Sequence, residues 1–172
     1  MFTPGGSLIG MTSNASAVFV ANNTNGVFKT TDNGATWPKV SPGGITNFAS
    51  AIVATSTNLF IGVGSSMYKA DAAGTTKWGV YRSTDAATWS PANTGMLAHK
   101  IDGVHISNGY LYAAADGRGF FRSADHGTTW SEIDNGIAAY PGWYCFARTA
   151  AGTLLGGNGN GMLFRSTDNG DT

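Results

Sequence analysis

The sequence predicts an all-β protein made of four repeats, each a small antiparallel sheet of four strands. The first observation behind this is a corner motif, S-x-D-x-G-x-T-W, complete at 123–130 and varied at 30–37, 83–89 and 166–172. Its aspartates, Asp32, Asp85, Asp125 and Asp168, are spaced by 53, 40 and 43 residues. The second is the run of short β-branched and aromatic stretches, bounded by Gly and Asn, between successive corners. The third is the lack of any window with helical period. A unit of about 40–45 residues holding four short strands is the size of one β-propeller blade.

The corner is a folding device. The carboxylate of Asp125 is placed to accept backbone N–H groups just beyond it, and Gly127 supplies the positive φ of such a turn. Trp130 then opens the next strand with a large ring to bury. The same roles fall to Asp32, Gly34 and Trp37, to Ser83, Asp85 and Trp89, to Ser123, and to Ser166, Asp168 and Gly170. The second copy, 83–89, lacks the glycine and is one residue shorter, so its turn is expected to be tighter or less well formed.

These four stretches resemble the Asp-box, or BNR repeat, of sialidases, xyloglucanases, sortilin-type receptors and photosystem assembly factors. The resemblance implies a β-propeller, with the boxes at its periphery and away from any active site. It fixes no single activity, since the box is shared by unrelated functions.

In chain order, the first strands are expected at 7–11, 48–54, 101–106 and 143–148. Small residues dominate several of them, which suits the crowded position around a propeller axis. Second strands are expected at 17–21, 58–63, 109–114 and 153–156, and third strands at 26–29, 79–82, 119–122 and 161–165. Each fourth strand starts at the box tryptophan. The long first interval places an insertion of roughly ten residues at 65–78 within one blade. The blades then span 7–45, 46–95, 96–139 and 140–172 of a single domain or propeller fragment. The fourth box reaches Thr172, where the other copies have tryptophan next. Residues 1–6 resemble the stretch that comes after a box, so they are expected to supply the closing strand, with Phe2 in the tryptophan's place. Closure within the chain, a fragment of a larger propeller and subunits joined head to tail at this open edge all fit.

Composition narrows the function. Of 172 residues, 12% are charged, and the formal net charge is zero. With Lys and Arg scattered singly, nothing favours nucleic acid or an anionic membrane as partner. No stretch approaches the ~20 apolar residues of a membrane-spanning helix. The N-terminus shows no signal peptide. Cys145 is the one cysteine, expected to be buried and inert. No metal site is expected: His99 and His105 lack a third ligand, and His126 stands at a solvent-facing box position. No cofactor is implied.

Two carboxylates could serve a glycosidase, which needs a facing pair. Asp102 and Asp116 are the best pair available, and the resemblance to xyloglucanases, which use two aspartates, keeps them in view. Asp116-Gly117 is equally an ordinary turn signal. Sialidase chemistry is poorly supported: Arg82, Arg122 and Arg165 each stand just before a box, in a structural position, and Glu132 is the one glutamate. The aromatic residues Trp78, Tyr140, Trp143 and Tyr144 offer flat faces for a sugar or a protein partner. The reading is therefore a non-catalytic binding or structural module, extracellular, periplasmic or virion-associated, taking a glycan or protein ligand through blade-end loops. A glycoside hydrolase and an assembly or scaffold factor are the alternatives.

Overall fold

The computed structural model describes residues 2–40, 49–64, 78–96, 100–133, 135, 137 and 143–172. Among these the chain forms four antiparallel sheets and no helix. The first sheet is β1 (Leu8–Ser13), β2 (Val18–Asn22) and β3 (Gly26–Thr30), with a Phe28–Lys39 bridge where a fourth strand would run. The second is β4 (Ala49–Ala54), β5 (Leu59–Val63), β6 (Gly79–Ser83) and β7 (Ser90–Pro91). The third is β8 (Ile101–Ser107), β9 (Tyr110–Ala115), β10 (Gly119–Ser123) and β11 (Ser131–Glu132). The fourth is β12 (Trp143–Arg148), β13 (Leu154–Asn158) and β14 (Leu163–Ser166). Strands follow chain order within every sheet, so each is a simple meander.

The sheets stack through their first strands, β1 beside β4, β4 beside β8 and β8 beside β12. Gly10 shows why small residues are needed there: a Cβ on it would meet Ile52 of the next sheet at 3.3 Å. Apolar side chains fill the spaces between consecutive sheets. Phe19 and Val27 meet Ile61 and Trp89 between the first and second; Phe60 and Val80 meet Ile101 and Trp130 between the second and third. Between the third and fourth, Tyr112, Phe120 and Ile133 meet Leu154, Phe146 and Phe164. Here a cavity of about 250 Å³ remains, at the place that Trp89 and Trp130 fill in the two preceding interfaces.

The corner motif folds as its chemistry requires. In the third copy, Thr129 donates its N–H (2.8 Å) and hydroxyl (2.6 Å) to the Asp125 carboxylate, and Gly127 N–H donates to Ser123 Oγ at 2.8 Å. Gly127 has φ +80°, and the residue before it, His126, also turns left-handed at +57°. Asn33, Ala86 and Asn169 do the same in the other copies, a requirement that the motif's spacing does not announce. The glycine-free second copy is well formed all the same. Ala86 N–H replaces the glycine donor on Ser83 Oγ at 2.8 Å, and Ala86 itself takes the positive φ.

Two expectations are corrected. Phe2 lies in the first sheet, stacked on Trp37 (5.3 Å between centroids) and edge-on to Phe28 (5.0 Å), rather than beside the fourth corner. The reason is register: Phe2 precedes β1 by as many residues as Gly95 precedes β8, and Gly95 packs on the backbone of Trp130. Linker residues at this position cover the next sheet's tryptophan instead of replacing one. Cys145 is exposed rather than buried, because it shares a face of the fourth sheet with Leu163, and no described sheet covers that face.

Candidate functional site

Every first strand carries one extra residue against its partner near its start, a β-bulge repeated four times. Pairing skips Ile9 in β1, Ser50 in β4, Asp102 in β8 and Tyr144 in β12. A bulge bends its strand and re-aims the side chain at that point. Because the first strands lie side by side, the four bulges bring these residues to equivalent positions in adjoining strands. Three of them, Ile9, Ser50 and Asp102, line a cavity of about 260 Å³, together with His105, Cys145 and Phe146.

Asp102 is the chemically distinctive member. Its side chain is 6% exposed. One carboxylate oxygen meets Lys100 Nζ at 2.6 Å, whereas Oδ2 is buried with no hydrogen-bond partner among the described residues. Burial pushes its carboxyl above the ordinary range, against the pull of Lys100, and Asp116 adds to the rise. Lys100 also reaches Asp116 at 3.4 Å. Its ammonium is held above the ordinary range: burial opposes the charge, and the two carboxylates outweigh that. Next to this group Ser50 donates its hydroxyl to the Ile101 carbonyl, tying the second sheet to the third. His105 stacks on Phe146 at 6.3 Å, and burial lowers its pKa.

The sequence-predicted residues are thereby sorted. Asp102 and Asp116 come together on one lysine, but only Asp102 lines the cavity. Asp116 sits in the turn after β9, where Arg118 N–H bonds to the Ala115 carbonyl. Trp78 is half-buried and immediately precedes β6, while Trp143 opens β12. The starts of β6, β8 and β12 all lie at the end of the sheets opposite the aspartate corners, so Trp78, Asp102, Asp116 and Trp143 belong to one end of the molecule. Tyr144 is the bulge residue of β12. Tyr140, His99 and the inserted stretch 65–77 lie outside the described residues. Arg122 has the structural part expected of it, binding the Asn169 carbonyl (2.9 Å) and Asp171 (3.0 Å) in the fourth corner. Ser50 and His105 carry no sequence signal that places them at this cavity. Among the described residues no cluster of three His, Cys, Asp or Glu suits a metal ion.

No family model matches the sequence, and no curated protein matches it. Solved structures do match, and they are β-propeller proteins. "YCF48 bound to D1 peptide" is 15% identical with a TM-score of 0.68, covering 100% of this chain and 54% of that one. "AFV00434, an ancestral GH74 enzyme" is 20% identical with a TM-score of 0.72, covering 99% of this chain and 24% of that one. The extracellular domain of a B. thetaiotaomicron putative hybrid two component system is 15% identical, TM-score 0.71, covering 99% and 21%. The chain thus spans about half or less of the length of these structures. Binding proteins and glycoside hydrolases both share the fold.

Proposed function

We propose that this chain is an Asp-box propeller module that binds a protein partner. It takes a hydrogen-bond donor of that partner, cationic or amide, into the cavity beside Asp102. The observation behind this reading is the Oδ2 of a side chain that is 6% exposed, left without a partner among the described residues. A buried acceptor left unsatisfied costs roughly 1–3 kcal/mol, which a ligand N–H would recover. Trp78, half-buried at the same end, adds apolar surface to the approach. Neighbours named for a bound peptide and for a nidogen–laminin complex support a protein ligand. The setting we assign is extracytoplasmic, in keeping with the neighbour named as an extracellular domain.

The glycoside hydrolase reading rests on the ancestral enzyme neighbour and on the Asp102–Asp116 pair. Against it, both carboxylates engage one ammonium, and only one lines the cavity. A displayed random-peptide library tests the choice. Wild-type protein should enrich peptides bearing Lys, Arg or a free amino terminus, and Asp102→Asn should not retain them. Xyloglucan hydrolysis abolished by Asp116→Asn, with folding intact, would overturn the reading.

A further inference from the structure

The Asp102 cavity is selective in the donors it can take. Lys100 Nζ occupies one oxygen of the carboxylate at 2.6 Å, so Oδ2, without a partner among the described residues, is the oxygen left for a ligand. A guanidinium binds best when its planar fork engages both oxygens of a carboxylate in parallel. Here it would make one such bond, and burial would strip water from its other N–H groups. A primary ammonium is a compact donor of three hydrogen bonds and does not need the second oxygen. Lys100 is shared with Asp116 at 3.4 Å, which leaves negative charge on Asp102 for a cation.

Two further acceptors border the same cavity, both on the second and third sheets. Ser50 spends its hydroxyl proton on the Ile101 carbonyl, so its oxygen can only accept from a ligand. His105 stacks on Phe146, and burial favours its neutral form, which has one acceptor nitrogen. Asp102 and Ser50 hold equivalent bulge positions in β8 and β4, and His105 lies three residues further along β8. We infer that this cavity selects a primary ammonium group, a lysine side chain or a chain's amino terminus, over a guanidinium. Asp102 Oδ2, Ser50 Oγ and a ring nitrogen of His105 are the acceptors for its three N–H groups. The inference rests on the reading of the Asp102 cavity as a ligand site and narrows what that site takes.

Butylammonium chloride and butylguanidinium chloride, titrated separately into isotope-labelled protein at constant ionic strength, test this through the amide NMR signals of Ser50, Asp102 and His105. Butylammonium should shift all three and saturate at least about tenfold tighter than butylguanidinium, the worth of one charge-assisted hydrogen bond. Ser50→Ala and His105→Phe, the latter keeping a ring against Phe146, should each narrow that gap. Asp102→Asn should abolish binding of both ions. An N-acetylated peptide with one central lysine, and a lysine-free peptide with a free amino terminus, then separate the two sources of the ammonium. Butylguanidinium binding as tightly as butylammonium overturns the preference and leaves the cavity standing as a donor site. A gap that both Ser50→Ala and His105→Phe leave unchanged also overturns it. Binding of neither ion, or shifts that sodium chloride alone reproduces, overturns the site itself and the preference with it.

Discussion

Trp130 donates its indole N–H to the carbonyl oxygen of Ala92 across the boundary between the third and second sheets, at 2.7 Å. Its backbone N–H also crosses, to the Thr94 carbonyl at 2.8 Å. Trp37 and Trp89 instead bond within their own corners, to Gly34 and Ala86. The same motif residue is thus a local clasp in two repeats and an inter-sheet lock in the third. Trp130→Phe should leave the buried Ala92 carbonyl unpaired and cost roughly 1–3 kcal/mol. Trp130→Ala should cost about 3–5 kcal/mol by also opening the core. Trp37→Phe, at a half-buried site, should cost less than Trp130→Phe. Urea denaturation of the three variants gives the ranking; equal costs at positions 37 and 130 would contradict the lock.

The aspartate corners should make the fold sensitive to acid. Hydrogen bonds hold the carboxyls of Asp32, Asp85 and Asp125 down at about 2 against an ordinary 3.8, the leading donors being the hydroxyls of Thr36 and Thr129 and the N–H of Thr88. Asp168 is lowered as well, chiefly by Ser166. A carboxyl depressed in the folded state adds stability above its unfolded pKa, and that stability is lost as pH falls through the folded value. The corners' contribution to the melting temperature should therefore hold steady down to about pH 4 and be lost between 4 and 2. Asp125→Asn should melt lower at neutral pH and show a shallower drop. An acid profile that Asp125→Asn leaves unchanged would assign the effect to other groups.

The repeat was legible in the sequence because a left-handed corner closed by a carboxylate admits few residue types, so it leaves the same letters at each occurrence. The strands between the corners fall within a residue or two of where their β-branched and aromatic runs place them. The bulges left no such trace. An extra residue in a strand needs no particular side chain, and Ile9, Ser50, Asp102 and Tyr144 have nothing in common chemically. Asp102 could be singled out as a carboxylate, but its partner on Lys100, its buried oxygen and its neighbours Ser50 and His105 depend on sheets packed side by side. Cys145 misled for a related reason. An apolar stretch says that a strand has a buried face, not that both faces are covered.

Left-handed residues other than glycine offer a comparison between backbone strain and packing. His126 (φ +57°) is exposed, so His126→Gly relieves the left-handed strain against only the added freedom of the unfolded chain, and should stabilise by about 0.5–1 kcal/mol net. Ala86 (φ +65°) is equally strained, but its methyl is buried with Trp89 in the first core cluster. Losing that methyl costs about 0.8 kcal/mol, which offsets the relief, so Ala86→Gly should leave stability nearly unchanged. Thermal melts of the two variants side by side test this; a clear gain in Ala86→Gly would mean that the methyl contributes little.

Asp102 should separate stability from binding. Its folded-state carboxyl lies above the ordinary range because burial outweighs Lys100. A group raised in this way favours the fold below its unfolded pKa, and that contribution is lost as pH rises through the folded value. At neutral pH the charged side chain is therefore a net liability, and Asp102→Asn, which keeps the shape and drops the charge, should melt higher than wild type. The gain should shrink as pH falls and the wild-type carboxyl takes up its proton, at a higher pH than an ordinary carboxylate does. Lys100 keeps Asp116 as a partner in the variant, so no buried ammonium is stranded. Peptide binding should move the other way, weak or absent in Asp102→Asn at every pH, and in wild type fading on acidification at a higher pH than an ordinary carboxylate would give. Melting curves and binding titrations at pH 4, 5.5 and 7 read both trends. If Asp102→Asn melted lower than wild type at pH 7, the pair with Lys100 would be a structural tie, and the unpartnered oxygen would lose its meaning as a site.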